Sequence, residues 1–578
     1  MSRKNVIFVL TDDQGYGDLG CTGNPWLQTP NIDSFYEDSV RMCNYHVGPT
    51  CAPTRSGLMT GHYANSTGVW HTIGGRSLLR EDEWTIASAL QEQGYRTGIF
   101  GKWHLGDSYP YRPEDRGFQD IVVHGGGGIS QTPDYWGNDY FNDTYRTNDG
   151  YKKFDGYCTD VFYSEAKKFI KESHEKDEPF FCYLATNAPH IPYNVEDKYA
   201  DLYRGKVMEE RARFYGMITN IDDNFGALND YIKELGIEDD TIVVFMTDNG
   251  SSQALTYDVD GNILEGYNAG LKGMKNSEYD GGHRVPFFIR CPELNMVGGT
   301  DVSTLCANVD FMPTILDLCD VSYDKSQFHG VSLKETISEQ SEALVDRCIV
   351  TDSQRVANPI KWRKSAVMQG EYRLINGYEL YDLSNDWGQD NDIAASMPEK
   401  VEELRAAYEV WWDLVSVKFE DPIPLHLHEE THLCAHDWRG DENNCVWNQG
   451  QVRAGRMTAG YWEVLAETDC KYVVEFYRWP EETGYNLTQG IEGNDCDYHE
   501  TFVMKEFHSF YRDGKALHLH RADLIVDDTV LESKSISDDM SKVVFELSLT
   551  KGIHKVQGMF TDKLNFEVGA YYAIIRNL

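Results

Sequence analysis

The chain has 578 residues, with 53 Lys and Arg against 93 Asp and Glu, and a formal net charge of −40. This length exceeds the roughly 100–200 residues of an average domain, so we expect two or three domains. The negative charge excludes nucleic acid and anionic membranes as partners, because their phosphates would be repelled. Any site for an anion must therefore supply its own local cations.

The first element, "NVIFVLTDD", has an apolar run that is too short for a secretory signal and is typical of a buried strand. The sequence also has no run of about 18 apolar residues, which excludes a membrane-spanning helix. The sequence as written therefore predicts a cytoplasmic protein, or a periplasmic or secreted one if a leader has been removed.

Strand and helix patterns alternate through the first two-thirds of the chain. Apolar strand patterns occur in "NVIFVL", "RTGIFGK", "PFFCYLA" and "TIVVFMT", and helix patterns in "TIASALQEQGY", "YSEAKKFIKESHE" and residues 208–235. This alternation predicts an α/β fold with a mostly parallel sheet flanked by helices. Ligands bind at the carboxyl ends of the strands in such sheets.

The pattern changes after about residue 345. "EYRLINGYELYDLSND" predicts short strands and "MPEKVEELRAAYEVWWDLV" a closing helix, followed by β-type runs separated by Gly, Asp and Asn turns. We therefore predict a catalytic α/β domain at 1–344, a small α+β subdomain at 345–420 and an all-β module, a sandwich, at 421–578. For the module, carbohydrate binding, dimerisation and a structural role all remain open.

Acidic and amide side chains follow two of the predicted strands. Asp12 and Asp13 come directly after the first strand, and Asp248 and Asn249 follow "TIVVFMT". Carboxylate and amide oxygens suit calcium, which takes six to eight oxygen ligands, and the lack of His or Cys among these four argues against zinc. The sequence therefore predicts a hard-cation site at this edge of the sheet.

Basic side chains follow other strands. Lys102 and His104 lie in "FGKWHLGD", His190 follows "PFFCYLATNAP", and Lys272 and Lys275 lie in a glycine-rich segment. Cations and histidines beside a metal suit a phosphate or sulfate ester, whose cleavage needs charge neutralisation and a proton for the leaving oxygen.

The role of Cys51, in "CAPTRSGLMTG", is open from the residues alone. A thiol nucleophile needs a nearby base, but a site lined with hard oxygens offers a thiolate nothing specific. Many of the 13 cysteines lie in apolar runs and are typical of buried hydrophobic residues. Cys434 and Cys445, which flank a polar loop, are the best candidates for a disulfide bridge.

"CAPTRSGLMTG" resembles the signature of type I sulfatases, in the alkaline phosphatase superfamily. "GYRTGIFGKWHLG" resembles the second signature of the family, and "TDDQG", "APHIPY", "FMTDNG", "GLKGMKNSEYDGGHRVPFFIR" and "NVDFMPTILDLCDV" match its pattern in order. The resemblance covers roughly residues 4–415.

The resemblance implies that Cys51 is converted to formylglycine, by a formylglycine-generating enzyme or an anaerobic maturase. One hydroxyl of the hydrated aldehyde would attack sulfur, and loss of the proton of the second would then eliminate sulfate. Residue 51 would bind calcium together with Asp12, Asp13, Asp248 and Asn249. The resemblance further implies that Arg55 supports residue 51 and that Lys102 and Lys275 bind the sulfate. It also implies that His190 is the general acid and that His104 is the base for the elimination.

The substrate is predicted less directly. His71 and Arg76 lie between the two signatures, where substrate contacts are common in the family, and Lys272 stands where an arginine is common. The loop "HGGGGISQTPDYW" carries His124, Tyr135 and Trp136, with Tyr140 close behind; its aromatic residues either stack on sugars or pack the loop. We expect a sulfated carbohydrate substrate.

Two alternatives stay open, a phosphonate monoester or phosphodiester hydrolase of the same superfamily, and a sugar-binding protein that has lost catalysis. One residue also departs from the family pattern. Asp280 stands where a Glu is usual, which predicts altered support of Lys275.

Overall fold

A computed structural model describes residues 3–252, 256–259, 261–338, 346–440, 444–493 and 510–578. The predicted boundary at 344/345 lies outside the described residues. In the N-terminal region, the strands are β1 Asn5–Thr11, β2 Val40–Met42, β3 Tyr45–His46, β4 Arg96–Lys102, β5 Asp120–His124, β6 Thr144–Thr147, β7 Gly150–Lys153, β8 Phe180–Ala185, β9 Thr241–Thr247, β10 Thr256–Tyr257, β11 Ile263–Glu265, β12 Phe287–Arg290, β13 Thr300–Val302 and β14 Cys306–Ala307. The α-helices are α1 Pro30–Glu37, α2 Cys51–Thr60, α3 Ile86–Glu92, α4 Cys158–Glu175, α5 Asp197–Ala200, α6 Glu209–Glu234, α7 Asp280–His283, α8 Phe311–Leu318 and α9 Lys334–Ser338.

The main sheet has the strand order β13-β2-β12-β9-β1-β8-β4-β5-β6-β7. Strands β9, β1, β8, β4 and β5 form a parallel centre. Strands β12, β6 and β7 pair antiparallel toward the two edges. The predicted parallel sheet is therefore confirmed at the centre, and the complete sheet is mixed.

Both faces of the parallel centre are buried. Alternate residues of β1 enter two different hydrophobic cores: Val6, Phe8 and Leu10 pack on one face, and Ile7 and Val9 on the other. Residues of α2, α3 and α8 belong to the first core, and residues of α1, α4 and α6 to the second. Burial on both faces explains why these strands are continuously apolar.

The next region is the predicted mixture of strands and a helix. The strands β15 Cys348–Asp352, β16 Ser365–Gln369, β17 Tyr372–Ile375 and β18 Glu379–Asp382 form an antiparallel sheet. Helix α10, Pro398–Val415, covers it through a core that includes Leu404, Tyr408 and Trp411.

The C-terminal region forms two further sheets, which share one hydrophobic core as in a sandwich. One sheet has the order β19-β21-β26-β23-β24, with β27 beside β26, and the other the order β20-β28-β22-β25. The strands are β19 Leu425–His426, β20 Glu430–Cys434, β21 Trp462–Ala466, β22 Cys470–Tyr477, β23 Leu519–Val526, β24 Thr529–Ser535, β25 Val543–Leu549, β26 Gly552–Asp562, β27 Glu567–Gly569 and β28 Tyr572–Asn577. A short helix, α11 Gln449–Arg453, interrupts this region, which the sequence patterns did not indicate.

Cys434 and Cys445, the best candidates for a disulfide bridge, are not bridged. Both cysteines are buried free thiols. The Cys445 sulfur lies 3.1 Å from the carbonyl oxygen of Ala435 and 3.2 Å from that of His436, so the thiol donates to backbone oxygens.

None of the helices in the described ranges is both long enough and apolar enough to cross a membrane.

Candidate active site

The carboxyl ends of the parallel strands bring the predicted site residues to one edge of the sheet. Asp248 and Asn249 follow β9, and Asp12 and Asp13 follow the neighbouring β1. His190 follows β8, Lys102 ends β4, and a glycine-rich loop, residues 125–137, follows β5. The spatial order of these strands therefore places the acidic and amide side chains beside the basic side chains.

The acidic and amide side chains form a buried cluster. Asp12, Asp13, Asp248 and Asn249 are at most 1% exposed. The Asn249 amide donates to Asp13 Oδ1 (3.0 Å), and the backbone N–H of Asp13 donates to Asp248 Oδ1 (3.1 Å). Burial and the neighbouring carboxylate of Asp12 raise the pKa of Asp248 to about 6.

This cluster has the donor set of a hard-cation site. Ligand atoms of Asp12, Asp13 and Cys51 lie within 4.8 Å of one another. Asp12 Oδ1 and Asn249 Oδ1 are buried oxygens without a hydrogen-bond partner among the described residues. Since buried oxygens are normally paired, these two are suited to bind a cation such as calcium.

Three cations balance the carboxylates, and two of them, Lys102 and Arg55, are fully buried. Lys102 Nζ lies 2.6 Å from Asp12 Oδ2, and Arg55 Nη2 lies 2.8 Å from Asp248 Oδ2. Lys275 pairs with Asp13. Burial opposes ionisation of Asp13, but the charges of Lys275, His190 and Lys102 outweigh it and lower the pKa of that carboxyl. Each carboxylate thus has its own cationic partner.

Helix α2 places Cys51 and Arg55 on one face, because residues four apart on a helix are neighbours. Arg55 Nη1 donates to the Lys102 carbonyl (3.1 Å) and to the Tyr183 hydroxyl (3.3 Å). Cys51 is 2% exposed, and burial raises the pKa of its thiol although Lys102 and Lys275 oppose the shift. A protonated thiol is a weak nucleophile, so thiolate catalysis by Cys51 is disfavoured.

His190 faces the acidic cluster with one ring nitrogen. Its Nδ1 donates to the Ile191 carbonyl (2.8 Å), and its Nε2 lies 3.7 Å from Asp13 Oδ2. Burial lowers the pKa of His190 to about 3; Asp13 opposes this shift, and Lys275 reinforces it. The ring is therefore fixed with Nε2 as the position where a proton is gained and lost.

His104 lies two residues beyond β4, with φ = 60°. Its Nε2 donates to the Thr72 carbonyl (2.9 Å), and its Nδ1 is buried without a partner among the described residues. Burial lowers the pKa of His104 well below its usual range, and Lys102 and His436 add to the shift. A neutral ring with a free Nδ1 can accept a proton.

The three predicted substrate residues have other contacts. Arg76 donates to the carbonyls of Ala357 (2.7 Å) and Gly74 (3.4 Å). His71 is buried, and its Nδ1 accepts from the backbone N–H of Thr72 (2.6 Å). Lys272 Nζ lies 4.5 Å from the ring centroid of Tyr279 and 3.4 Å from the Gln389 carbonyl oxygen. These contacts stabilise loops, and they leave substrate binding by these residues as a prediction.

The aromatic residues after β5 pack against the protein. Tyr140 donates its hydroxyl to the His190 carbonyl (2.6 Å) and is fully buried. The ring centroid of Trp136 lies 5.5 Å from that of Trp479 in the C-terminal region. Sequence reasoning left packing and sugar stacking open, and the structure shows packing for these two.

Asp280 does not contact Lys275 in the described hydrogen bonds and ion pairs. Its carboxylate accepts from Arg284 Nε (2.9 Å) and Arg373 Nε (3.0 Å). No direct contact between the two residues therefore supports the prediction that Asp280 affects Lys275. Lys275 pairs with Asp13 instead.

Sequence reasoning missed Tyr183 and the four glycines of "HGGGG". Tyr183 is hidden in an apolar strand pattern, since only its hydroxyl reaches Arg55. The glycine run was a visible signal, and its backbone lies against both histidines: a Cβ atom on Gly127 would lie 2.2 Å from the His104 ring.

Comparisons with known proteins point to one family. The family model for sulfatases matches residues 4–321. Arylsulfatase J of Mus musculus is 30% identical over 354 residues, which cover 58% of this chain and 56% of that protein. The ulvan-active sulfatase of Formosa agariphila is 27% identical over 363 residues, 58% of this chain and 65% of that protein. The chain thus spans less than two thirds of the length of either relative.

A solved structure gives a longer match. The crystal structure of Ps i-CgsB in complex with k-i-k-neocarrahexaose superposes with a TM-score of 0.64 at 26% identity. The match covers 99% of that chain but 72% of the present one, so more than a quarter of this chain has no counterpart there.

Proposed function

This chain belongs to the sulfatase family, in the alkaline phosphatase superfamily, and we propose that it hydrolyses sulfate esters of a carbohydrate, with Cys51 converted to formylglycine and calcium bound beside it. The observation that carries the proposal is the buried cluster around Cys51. It combines oxygen ligands for a cation with two lysines, an arginine and two histidines at one edge of the sheet.

Asp12, Asp13, Asp248 and Asn249 would hold the calcium ion together with residue 51. When bound, the ion would supply positive charge to the sulfate oxygens, and the hydrated aldehyde would supply the attacking hydroxyl. The unpaired oxygens of Asp12 and Asn249 support this assignment.

Lys102 and Lys275 supply the local cations that a sulfate group needs on a chain of net charge −40. Lys102 is fully buried, and the Lys275 side chain is 16% exposed. In a buried site, fixed charges act more strongly than in water and need little rearrangement when negative charge develops. Arg55 donates to the Asp248 carboxylate and to the Lys102 carbonyl, and so fixes the position of these groups next to residue 51.

The two histidines divide the proton transfers. His190 Nε2 faces the acidic cluster and would donate a proton to the leaving oxygen, since its Nδ1 is committed to Ile191. A bound anionic ester favours the protonated ring. His104 is held with Nδ1 unprotonated and would take the proton that residue 51 releases when sulfate leaves.

The names of two similar proteins support a carbohydrate substrate. One is an ulvan-active sulfatase, and the other was crystallised with neocarrahexaose.

The modification is tested by mass spectrometry of the tryptic peptide that runs from residue 42 to residue 55. The peptide contains Cys43 as well as Cys51, so Cys43 provides an internal control. In protein from cells that contain a formylglycine-generating enzyme or an anaerobic maturase, we expect one alkylated thiol and one aldehyde. Two alkylated thiols in fully active protein would contradict the mechanism.

The reaction is tested with the same protein on an aryl sulfate, on sulfated galactan and ulvan oligosaccharides, on an aryl phosphodiester and on an aryl phosphonate monoester. We expect release of inorganic sulfate, fastest from an oligosaccharide. Faster turnover of the phosphorus esters would favour the phosphonate or phosphodiester hydrolase. Oligosaccharide binding without turnover by aldehyde-bearing protein would indicate a sugar-binding protein.

A further inference from the structure

We propose that the C-terminal β region is part of the active site and that Gln449 is a positioning residue for His104. Gln449 acts through the glycine-rich loop, which forms the wall behind both histidines. The inference rests on the proposed function, because it assigns to His104 a part in sulfate ester hydrolysis.

The glycine-rich loop packs against both histidine rings. A Cβ atom on Gly127 would lie 2.2 Å from His104 Cε1, and one on Gly128 would lie 3.1 Å from His190 Cε1 and Nδ1. A Cβ atom essentially never lies within 3.0 Å of an atom that is not bonded to it or close to it along the chain, so the Gly127 backbone lies as close to the His104 ring as sterics allow. A displacement of this loop would therefore displace His104.

Within the loop, Gln131 links Gly127 to the C-terminal region. The Gln131 side-chain oxygen accepts from the Gly127 N–H (2.8 Å). The backbone of Gln131 forms a β-bridge with Asn448, directly before α11. The residue that fixes Gly127 is thus itself bound to the C-terminal region.

Gln449 satisfies several backbone groups of the loop at once. Its Nε2 lies 3.2–3.3 Å from three carbonyl oxygens and shares its two N–H groups among them, while its Oε1 accepts from the Gly137 N–H (3.0 Å). Its backbone N–H donates to the Ser130 carbonyl (2.9 Å), and the residue is 1% exposed. The three carbonyls belong to Gln131, Asp134 and Tyr135.

Other contacts fix the same loop from the same side. Thr132 donates its backbone N–H to the Trp447 carbonyl (2.9 Å) and its hydroxyl to the Val446 carbonyl (2.6 Å). The Ser130 hydroxyl donates to the Tyr511 hydroxyl (2.8 Å). The loop is therefore held by the C-terminal region along several consecutive residues.

The C-terminal region also reaches His104 directly. The ring centroids of His436 and His104 are 6.2 Å apart, and His436 is 1% exposed. The His436 carbonyl accepts from the Gly74 N–H (2.8 Å), close to Thr72, whose carbonyl binds His104. The glycine-rich loop and the segment around Thr72, which both contact the His104 ring, are thus held by the C-terminal region.

Gln449→Glu tests the link with little change in shape. A carboxylate cannot donate to the three carbonyls and would repel them, so the loop would shift. Because a misplacement of about 1 Å can cost about 10²-fold in rate, we expect kcat on an aryl sulfate to fall about 10²-fold. KM should fall together with kcat, because slower elimination lets the sulfated form of residue 51 accumulate, so kcat/KM should change less than kcat.

Gln489→Glu is the matched control in the same region. Gln489 is exposed, and its side chain accepts from the Asn486 N–H (3.2 Å), a bond that a carboxylate also accepts. The activity of Gln489→Glu should match that of the wild-type protein. If Gln449→Glu does not fold, Tyr511→Phe removes only a hydroxyl, which binds Ser130 and accepts from the Asn194 side chain (3.4 Å), and it should lower kcat in the same direction.

A double variant separates positioning from general damage. If Gln449 acts through Gly127, the losses of Gln449→Glu and Gly127→Ala should not multiply, because both displace the same ring. Multiplied losses, or an unchanged kcat in a folded Gln449→Glu, would overturn the inference. The wild-type protein distinguishes failure of this inference from failure of the proposed function. If wild-type protein that carries the aldehyde hydrolyses no sulfate ester, the proposed function fails instead.

Discussion

Removing the Arg55 guanidinium should destabilise the protein more than removing any exposed arginine. Arg55 and Asp248 are both 0% exposed and 2.8 Å apart. Arg55 also donates to the Lys102 carbonyl and the Tyr183 hydroxyl. Arg55→Met keeps most of the side-chain volume but leaves the Asp248 carboxylate buried without its cation.

The magnitude follows from the burial of both charges. Breaking a buried ion pair by removing one partner costs about 3–5 kcal/mol, because the remaining charge is uncompensated. The pKa of Asp248 is already raised to about 6 by burial and by Asp12, so the loss of Arg55 adds to an existing penalty. Calcium should restore part of the loss, since it would supply positive charge to the same carboxylate.

Urea unfolding followed by tryptophan fluorescence measures the effect, with and without calcium. Lys171→Met is the control, because Lys171 pairs with Glu175 on a helix surface where both side chains are more than half exposed. Exposed pairs contribute about 0–1 kcal/mol, so the control should lose no more than that. A loss of less than about 1 kcal/mol in Arg55→Met would refute the reasoning that this pair holds a buried charge.

Three other outcomes are expected. Burial opposes the charge on His62, but the carboxylate of Glu83 at 2.6 Å and the Gln327 carbonyl outweigh it and raise the pKa of His62. The stabilisation by this ion pair is therefore complete below the unfolded pKa of about 6.5 and is lost as pH rises through the higher folded pKa. The Tm difference between the wild-type protein and His62→Phe should accordingly shrink with rising pH. A pH-independent difference would count against the ion pair. Chelation should lower both activity and Tm, and calcium, but not added salt of equal ionic strength, should restore them; full activity after exhaustive chelation would exclude a catalytic metal. Because the net charge is −40, raising the ionic strength should increase kcat/KM for a polysulfated oligosaccharide more than for an aryl sulfate; equal salt dependence would contradict long-range repulsion.

The sequence was informative wherever one strand delivers a residue to the sheet edge. Asp12 and Asp248 were predicted to be neighbours because parallel strands end at the same edge, and the structure places their strands side by side. Local patterns also predicted the long helix α6 closely, over residues 208–235 with a glycine stop at Gly236. In these cases the fold only has to align segments whose own patterns are clear.

The sequence was least informative about pairings between distant segments. Cys434 and Cys445 were candidates for a bridge because they flank a polar loop, yet Cys445 binds backbone oxygens instead. The helix that begins at "CAPTR" was also missed, since Gly57 disfavours a helix, whereas the surrounding core buries every residue of α2. Tertiary packing decides such segments.

The C-terminal region shows why function can lie outside the recognisable motifs. Its His-rich run, "HLHEETHLCAHDW", fits no standard zinc spacing, and no motif singles out Gln449. Yet the carboxamide of Gln449 binds loop residues more than 300 positions earlier. A glycine-rich loop has little stiffness of its own, because glycine loses the most conformational freedom on folding. A loop that must keep two histidine rings in place therefore needs support from outside, and here the C-terminal β region provides much of it, together with Asp107, which accepts from the Gly126 N–H.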